Sequence, residues 1–425
     1  MKITRRGFLK AAGGTGLAVA TGTLRWPHRV AAGSSTTLRL LGHSAFNEDS
    51  DKAIAKIGND FAAQHNSTFA GDFIDQPEVA AKLTAEEQAK SGHDIVDLQD
   101  NLPTIHKDYL VPLDDVVGDI AKQFGNFYQV AKDSGYVDGH WLTLPWIGNG
   151  TLGVYRADYF AQVGERPPAT WDDLLRAAGK LKKAGHPVGL PISQCEDANS
   201  IFYPLLWSFG ASVADAKDKL TLDSPQTRAA LGYGRKLFAQ MDATVLSWDD
   251  SGNNKHMLSG RGSYTINAPS IYLRAQREKM PFAPSVRHTL APSGPKGRFF
   301  YADIHGWGVF KFGQNIDLAK QFLRSMFTEA SQKTALTLGS GYDMPVLPHF
   351  DQNPPYAKDS NLRLLVGFMR SAHLVAYPAP PSALAEKAYQ TYVIPNMFAK
   401  AVQGASDGDA IASATTALVD IGYTR

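Results

Sequence analysis

Cysteine is almost absent from this chain of 425 residues: Cys195 stands alone. No intramolecular disulfide can form, whatever the redox compartment. Charge of one sign is missing too. Lys and Arg number 43 against 41 Asp and Glu, a formal net charge of +2 at pH 7, which leaves no electrostatic footprint for nucleic acid or an anionic membrane. The apolar stretch at residues 11–24 falls short of the ~20 residues needed to cross a bilayer and carries three threonines and four glycines. Zinc-binding spacings are also lacking. Among 12 histidines the nearest pair, His93 and His106, lies 13 residues apart, so no HExxH-like motif exists. There is no GKT or GKS phosphate loop, and Gly42-His43-Ser44-Ala45-Phe46 carries Phe46 where a nucleophile elbow needs its second glycine. These absences leave no resident metal or cofactor to expect and no catalytic motif to assign.

What is present begins with an address. Thr4-Arg5-Arg6-Gly7-Phe8-Leu9-Lys10 precedes a small-residue apolar run without an acid, and Val30-Ala31-Ala32 supplies the small residues that a signal peptidase reads. The heptapeptide resembles the twin-arginine export motif, which sends folded proteins across a membrane through a dedicated translocase. Residues 1–32 are therefore expected to be a signal peptide cleaved after Ala32. Gly13-Gly14-Thr15-Gly16 has the look of a phosphate cradle, but no strand precedes it and Val19 stands where the third glycine belongs. The signal holds Lys2, Arg5, Arg6, Lys10, Arg25 and Arg29 and no anion, so its removal leaves 37 cations against 41 anions, a net charge of −4. No cysteine follows for lipid attachment. A soluble periplasmic monomer is expected.

The whole chain is 44% hydrophobic and 10% aromatic, enough to build a large core in two or more domain-sized units. Residues 37–41 (TLRLL) read as a strand, Ala53, Ile57, Phe61 and Ala62 mark an amphipathic helix, residues 79–90 a second helix, and residues 94–98 (DIVDL) a buried strand. Alternating strands and helices point to an open doubly wound α/β sheet, whose ligands collect at the carboxyl ends of the strands. Further on, Thr170 is the N-cap of a helix starting at Trp171, with Asp173 at its third position and Gly185 closing it. Ser224-Pro225 opens another with proline where its missing N–H is harmless, and a third runs from Asp317 through Phe322 to Phe327.

Several segments, taken in order, resemble the extracellular solute-binding proteins of ABC importers, specifically the sugar-binding group that includes maltose-binding protein. The stretch from Leu144-Pro145-Trp146-Ile147-Gly148-Asn149 to Tyr155-Arg156-Ala157-Asp158 is similar to the family's Pro-aromatic crossing and the turn after it, although Arg156-Ala157 departs from an Asn-Lys pair. Pro168-Ala169-Thr170-Trp171 resembles its next helix start. Trp207 to Val213 with Leu222 to Pro225, Met257 to Ser263 and Gly339 to Pro345 resemble later family landmarks. The resemblance implies two α/β lobes, each a doubly wound sheet with flanking helices, and a ligand cleft between them. Lobe one would combine residues 37–145 and 300–338; lobe two would combine 146–299 and 345–425, with crossings near 145–150, 298–302 and 339–346.

The same resemblance implies a sugar, short oligosaccharide or polyol as ligand, delivered to the membrane permease subunits without catalysis. It places Asp100, Asn149, Asn199 and Asn267 near the ligand, Asp197 beside them, and Trp146 as a stacking platform. Ser44 and Phe46 follow the first strand, Asp75 and Gln76 the second, and Asp100-Asn101 end the third. His305, Trp307, Tyr342 and Asp343 lie where later crossings approach the cleft. Core packing competes for both tryptophans, helix capping for Asp100 and Asp343, a turn for Asn267, and a structural hydrogen bond for His305. Trp171 and Tyr155 are assigned to packing. Two alternatives stay open: an exported glycoside hydrolase using two cleft carboxylates, and the same fold carrying a non-carbohydrate solute. The address is tested directly by replacing Arg5-Arg6 with Lys-Lys, which should leave the protein in the cytoplasmic fraction; continued export shows the motif to be misread.

Overall fold

The computed structural model describes residues 36–44, 48–353, 355–366 and 368–425, without the side chains of Gln76 and Pro77. The expected signal peptide and Phe46 lie outside the described residues. The first apolar run forms β1 (Thr37–His43), and α1 (Glu48–Gln64) turns Ala53, Ile57, Phe61 and Ala62 inward at helical spacing. β2 (Thr68–Ile74), α2 (Gln76–Ala89) and β3 (Ile95–Gln99) follow, and every residue of β3 is buried. Both neighbours of β1 run parallel to it, as helical crossovers require.

Beyond α3 (Asp114–Phe124), the chain enters β4 (Thr143–Gly150) and, after Thr151 alone, β5 (Leu152–Arg156). Helices α4 (Trp171–Lys183), α5 (Glu196–Phe209), α6 (Pro225–Phe238) and α7 (Gly252–Leu258) precede β6 (Tyr264–Asn267) and β7 (Val286–Thr289). The long strand β8 (Phe300–Val309) leads to α8 (Ile316–Met326), α9 (Glu329–Leu338), β9 (Met344–Pro345) and β10 (Ala372–His373). Helices α10 (Ala383–Gln390), α11 (Val393–Val402) and α12 (Asp407–Ile421) close the chain.

Two sheets result. The larger has the order β9-β4-β8-β3-β1-β2 with β10 beside β8; the smaller is β6-β5-β7. In the larger sheet β8 runs antiparallel to both β3 and β4, and the smaller sheet is antiparallel throughout. One hydrophobic core lies on the larger sheet around Leu38, Ile95, Trp307 and Phe322 and reaches β5 through Leu152 and Val154. A second, around Trp171, Leu206, Leu231 and Phe398, is made mainly by helices α4, α5, α6 and α11. The α4 cap is reciprocal: Thr170 Oγ1 accepts from the Asp173 N–H and Asp173 accepts from the Thr170 N–H, both at 3.1 Å. Trp171 is 3% exposed, in the packing role assigned to it.

The step from one sheet to the other depends on a close approach. A Cβ added to Gly150 would stand 2.3 Å from the Phe368 ring and 2.9 Å from Met344 Cε, and Phe368 is itself fully buried. Gly150→Ala is expected to destabilise the protein by about 1–3 kcal/mol through overpacking, read as a lower urea midpoint with an unchanged slope; an unchanged midpoint would show that the ring relaxes freely.

Candidate ligand-binding cleft

The carboxyl ends of β1, β2 and β3 open into a cavity of about 430 Å³, where a sheet of this topology presents ligand groups. From the larger sheet and its connections come His43, Ser44, Asp75, Asp97, Gln99 and Asp100. β4 adds Trp146 and Asn149, β8 adds Tyr301, Asp303, His305 and Trp307, and the turn before β9 adds Tyr342 and Asp343. The facing wall is built differently. Glu196 and Asp197 start α5, Asp250 precedes α7, Asn254 sits on α7, Asn267 ends β6, and Glu386 and Tyr389 share one face of α10 at i,i+3.

Hydrogen bonds fix both walls. Asp100 adopts φ 45°, a left-handed conformation that Asp tolerates better than most residues. Its carboxylate accepts from the Ile304 N–H at 2.7 Å and from the Tyr301 hydroxyl. His305 Nδ1 lies 2.9 Å from Asp97 Oδ2 and its Nε2 3.4 Å from Asp303 Oδ2. The Gln99 and Asn149 amides abut that Nε2 at 3.2 and 3.4 Å. Ser50 on α1 donates to Asp343 Oδ2. On the facing wall Asn253 donates to Asp197 at 2.6 Å, the Asp197 N–H donates to Asp250 at 2.9 Å, and Asn267 donates to Asn254.

The cavity thus collects Ser44, Asp75, Asp100, Trp146, Asn149, Asp197, Asn267, His305, Trp307, Tyr342 and Asp343 from the sequence-based set. Asn101 and Asn199 are corrections: each is 0% exposed and neither lines the cavity. Asn101 instead donates to Glu386 at 3.1 Å and Asn199 to the Tyr389 carbonyl at 3.0 Å, so both support lining residues from behind. Gln76 begins α2 and its side chain is not among those described. Trp146 is 2% exposed and packs edge-on against Phe327, with ring centroids 5.9 Å apart. It nonetheless lines the cavity. The half-buried rings of Tyr342 and Tyr389 line it as well. Sequence reasoning missed Asp303, although it sits at i−2 from His305 and hence on the same face of a strand. It also missed Glu386 and Tyr389, whose helical spacing was visible but whose position opposite β3 was not.

Burial and neighbouring charges set the protonation of this site. Burial opposes a charge on His305, but Asp97 and Asp303 outweigh it and hold the imidazole pKa well above its usual value. Burial would raise Asp303, yet the His305 charge beside it keeps it below the usual range. Asp100 is driven well above that range by burial and then by the Asp303 charge. Burial also pushes Asp343 up to about 6 and, with Asp250 nearby, Asp197 up to about 8. Cys195, buried at the start of α5, is pushed up to about 12 and supplies no reactive thiolate. Among the described residues, no group of three or more His, Cys, Asp or Glu is arranged to hold a metal ion, and no helix is long and apolar enough to cross a membrane.

This architecture has known counterparts. A maltose-bound MalE3 of T. maritima superposes with a TM-score of 0.75 at 20% identity, covering 91% of this chain and all (100%) of that one. An ABC transporter solute-binding protein of Agrobacterium radiobacter K84, in complex with ribitol, gives 0.74 at 19% identity, covering 92% and 98%. In sequence, a chain of Brucella abortus (strain 2308) named as a binding protein is 24% identical over 272 residues, or 61% of this chain. This chain spans 64% of that relative's length. A chain of Escherichia coli (strain K12) named as an ABC transporter periplasmic-binding protein is 31% identical over 162 residues, 36% of each chain. The family model of bacterial extracellular solute-binding proteins matches residues 56–363. With that match running from α1 through the cleft strands and beyond β9, the chain belongs to the bacterial extracellular solute-binding proteins, and its fold is their two-lobed α/β fold.

Proposed function

We propose that this protein is the receptor of an ABC importer, binding a sugar, short oligosaccharide or polyol in the cleft and presenting it to the membrane permease. The observation that carries this reading is the lining itself: half-buried tyrosine rings beside amides and carboxylates that converge from both walls. A sugar offers an apolar C–H face to the rings and hydroxyls that each need a donor or an acceptor. Similar folds with maltose and with ribitol bound support the same ligand class. The lobe bounds 37–145 with 300–338 and 146–299 with 345–425 belong to this proposal, as do export to the periplasm behind a twin-arginine signal and action as a monomer. Ligand that bridges the walls favours the closed arrangement, so binding energy drives a signal to the permease.

Binding without turnover fits the state of the carboxylates. Asp100 is engaged by Tyr301 and the Ile304 N–H, which leaves it poorly placed as one half of a glycosidase pair. The reading is tested by titrating the purified protein with mono- and oligosaccharides and polyols. A ligand in this class should shift the tryptophan fluorescence, since Trp146 and Trp307 line the cavity, and reduce the radius of gyration in solution scattering. A broad panel that produces neither change would remove the carbohydrate assignment. Sustained product release that Asp100→Asn abolishes would overturn binding without catalysis.

A preorganised polar cleft is expected to cost stability when empty. Asp343 titrates near its ordinary value in the unfolded chain and at about 6 in the fold, so the folded state holds the extra proton. Its contribution to stability is intact below pH ~4 and is lost as pH rises to ~6, a swing of roughly 3 kcal/mol. Ligand-free Asp343→Asn should therefore melt above the native protein at pH 7.5, with the gain vanishing near pH 4. A lower melting temperature at pH 7.5 would show that the carboxylate is stabilising where it stands.

A further inference from the structure

The charge of the cleft is one-sided. Asp51, Asp75, Asp97, Asp100, Asp303 and Asp343 enter from the wall of the larger sheet and Glu196, Asp197, Asp250 and Glu386 from the wall opposite, with no Lys or Arg among the described lining residues. The basic side chains there are His43 and His305. Both ring nitrogens of His305 already face Asp97 and Asp303. The His43 pKa is lowered by burial and then by the His305 charge, so His43 offsets none of the remaining carboxylates at neutral pH.

Acidic crowding alone would not define a ligand, but open hydrogen-bonding atoms accompany it. Asp97 Oδ1 and Asp343 Oδ1 have no partner, and their residues are 5% and 3% exposed. A buried carboxylate oxygen without a donor is costly, and an arriving group rich in N–H satisfies it. Trp307 Nε1 is the complementary case: an unpartnered donor on a residue 1% exposed, suited to a hydroxyl oxygen. An ammonium brings three donors and no acceptor, whereas a hydroxyl brings both. The half-buried rings of Tyr342 and Tyr389 present π faces that attract a cation as well as a sugar C–H face.

We propose that the ligand of this cleft is a sugar or polyol bearing a protonated amine, with the ammonium seated against the open oxygens of Asp97 and Asp343 and the hydroxyls on Trp307 and the amides. This rests on the carbohydrate reading above and narrows it. A phosphorylated sugar would meet carboxylates where it needs Arg or Lys. A neutral sugar would satisfy Trp307 but bring no positive charge to the unpartnered oxygens of Asp97 and Asp343.

The test is calorimetric titration with matched pairs: D-glucosamine against D-glucose, the chitosan disaccharide against its N,N′-diacetylated form, and glucamine against sorbitol, with putrescine as a sugar-free cation. The amine member of at least one pair should bind about tenfold or more tightly than its neutral twin, a factor within reach of one charge-assisted contact. Asp343→Asn and, separately, Asp97→Asn should each cut that preference severalfold in protein shown to be folded by its thermal transition. A neutral twin that binds as well or better overturns the amine assignment and leaves the carbohydrate reading standing. Putrescine binding with no response from any sugar or polyol overturns both, and so does silence across the whole panel.

Discussion

A buried imidazole held between two carboxylates organises this cleft. His305 sits in the middle of β8, the strand that pairs with both β3 and β4, with Asp97 of β3 on one ring nitrogen and Asp303 of its own strand on the other. Because side chains on alternate residues share a strand face, Tyr301, Asp303 and His305 stand in one row toward the cavity. Tyr301 pairs with Asp100 and His305 with Asp97 across to the neighbouring strand and its end, and Asp303 pairs with His305 within β8. Removing the imidazole would leave two like charges facing each other in a poorly hydrated space, which is far costlier than the loss of one hydrogen bond.

The same arrangement explains why the carboxylates around it behave differently. Asp303 lies beside the imidazolium and stays charged, while Asp100, held next to Asp303 and away from any cation, takes up a proton more readily. On the opposite wall Asp197 and Asp250 crowd at the start of α5, bridged by the Asp197 N–H. Carboxyl groups therefore line both walls, and burial holds Asp100, Asp197 and Asp343 above the ordinary carboxylate range.

Much of the scaffold was legible along the chain. The parallel start of the sheet follows from TLRLL, the Ala53-Ile57-Phe61 stripe and the buried DIVDL strand, because period and burial are local properties. The Thr170 cap and the Ser224-Pro225 start are legible for the same reason. β8 was harder. Asp303, His305 and the glycines at 306 and 308 interrupt its apolar pattern, so it reads as a crossing although it lies in the interior of the larger sheet. Among site residues, those at strand ends came through because topology assigns them a place. Asn101 and Asn199 share the residue type of true lining groups yet lie one layer behind, and no sequence spacing separates the two cases.

The sequence by itself determined the first strands and helices, the near-neutral charge and the single cysteine, which follow from composition and periodicity, while its resemblance to the family implied a cleft between two lobes. Tertiary structure alone decided which atoms line the cavity. It set Trp146, Tyr342 and Tyr389 in one lining and brought Glu386 from near the end of the chain to Asn101, 285 residues earlier. The reason is physical: a residue's type fixes what it can bond, but burial, neighbouring charge and the atoms left without a partner arise only when distant segments share one dry space.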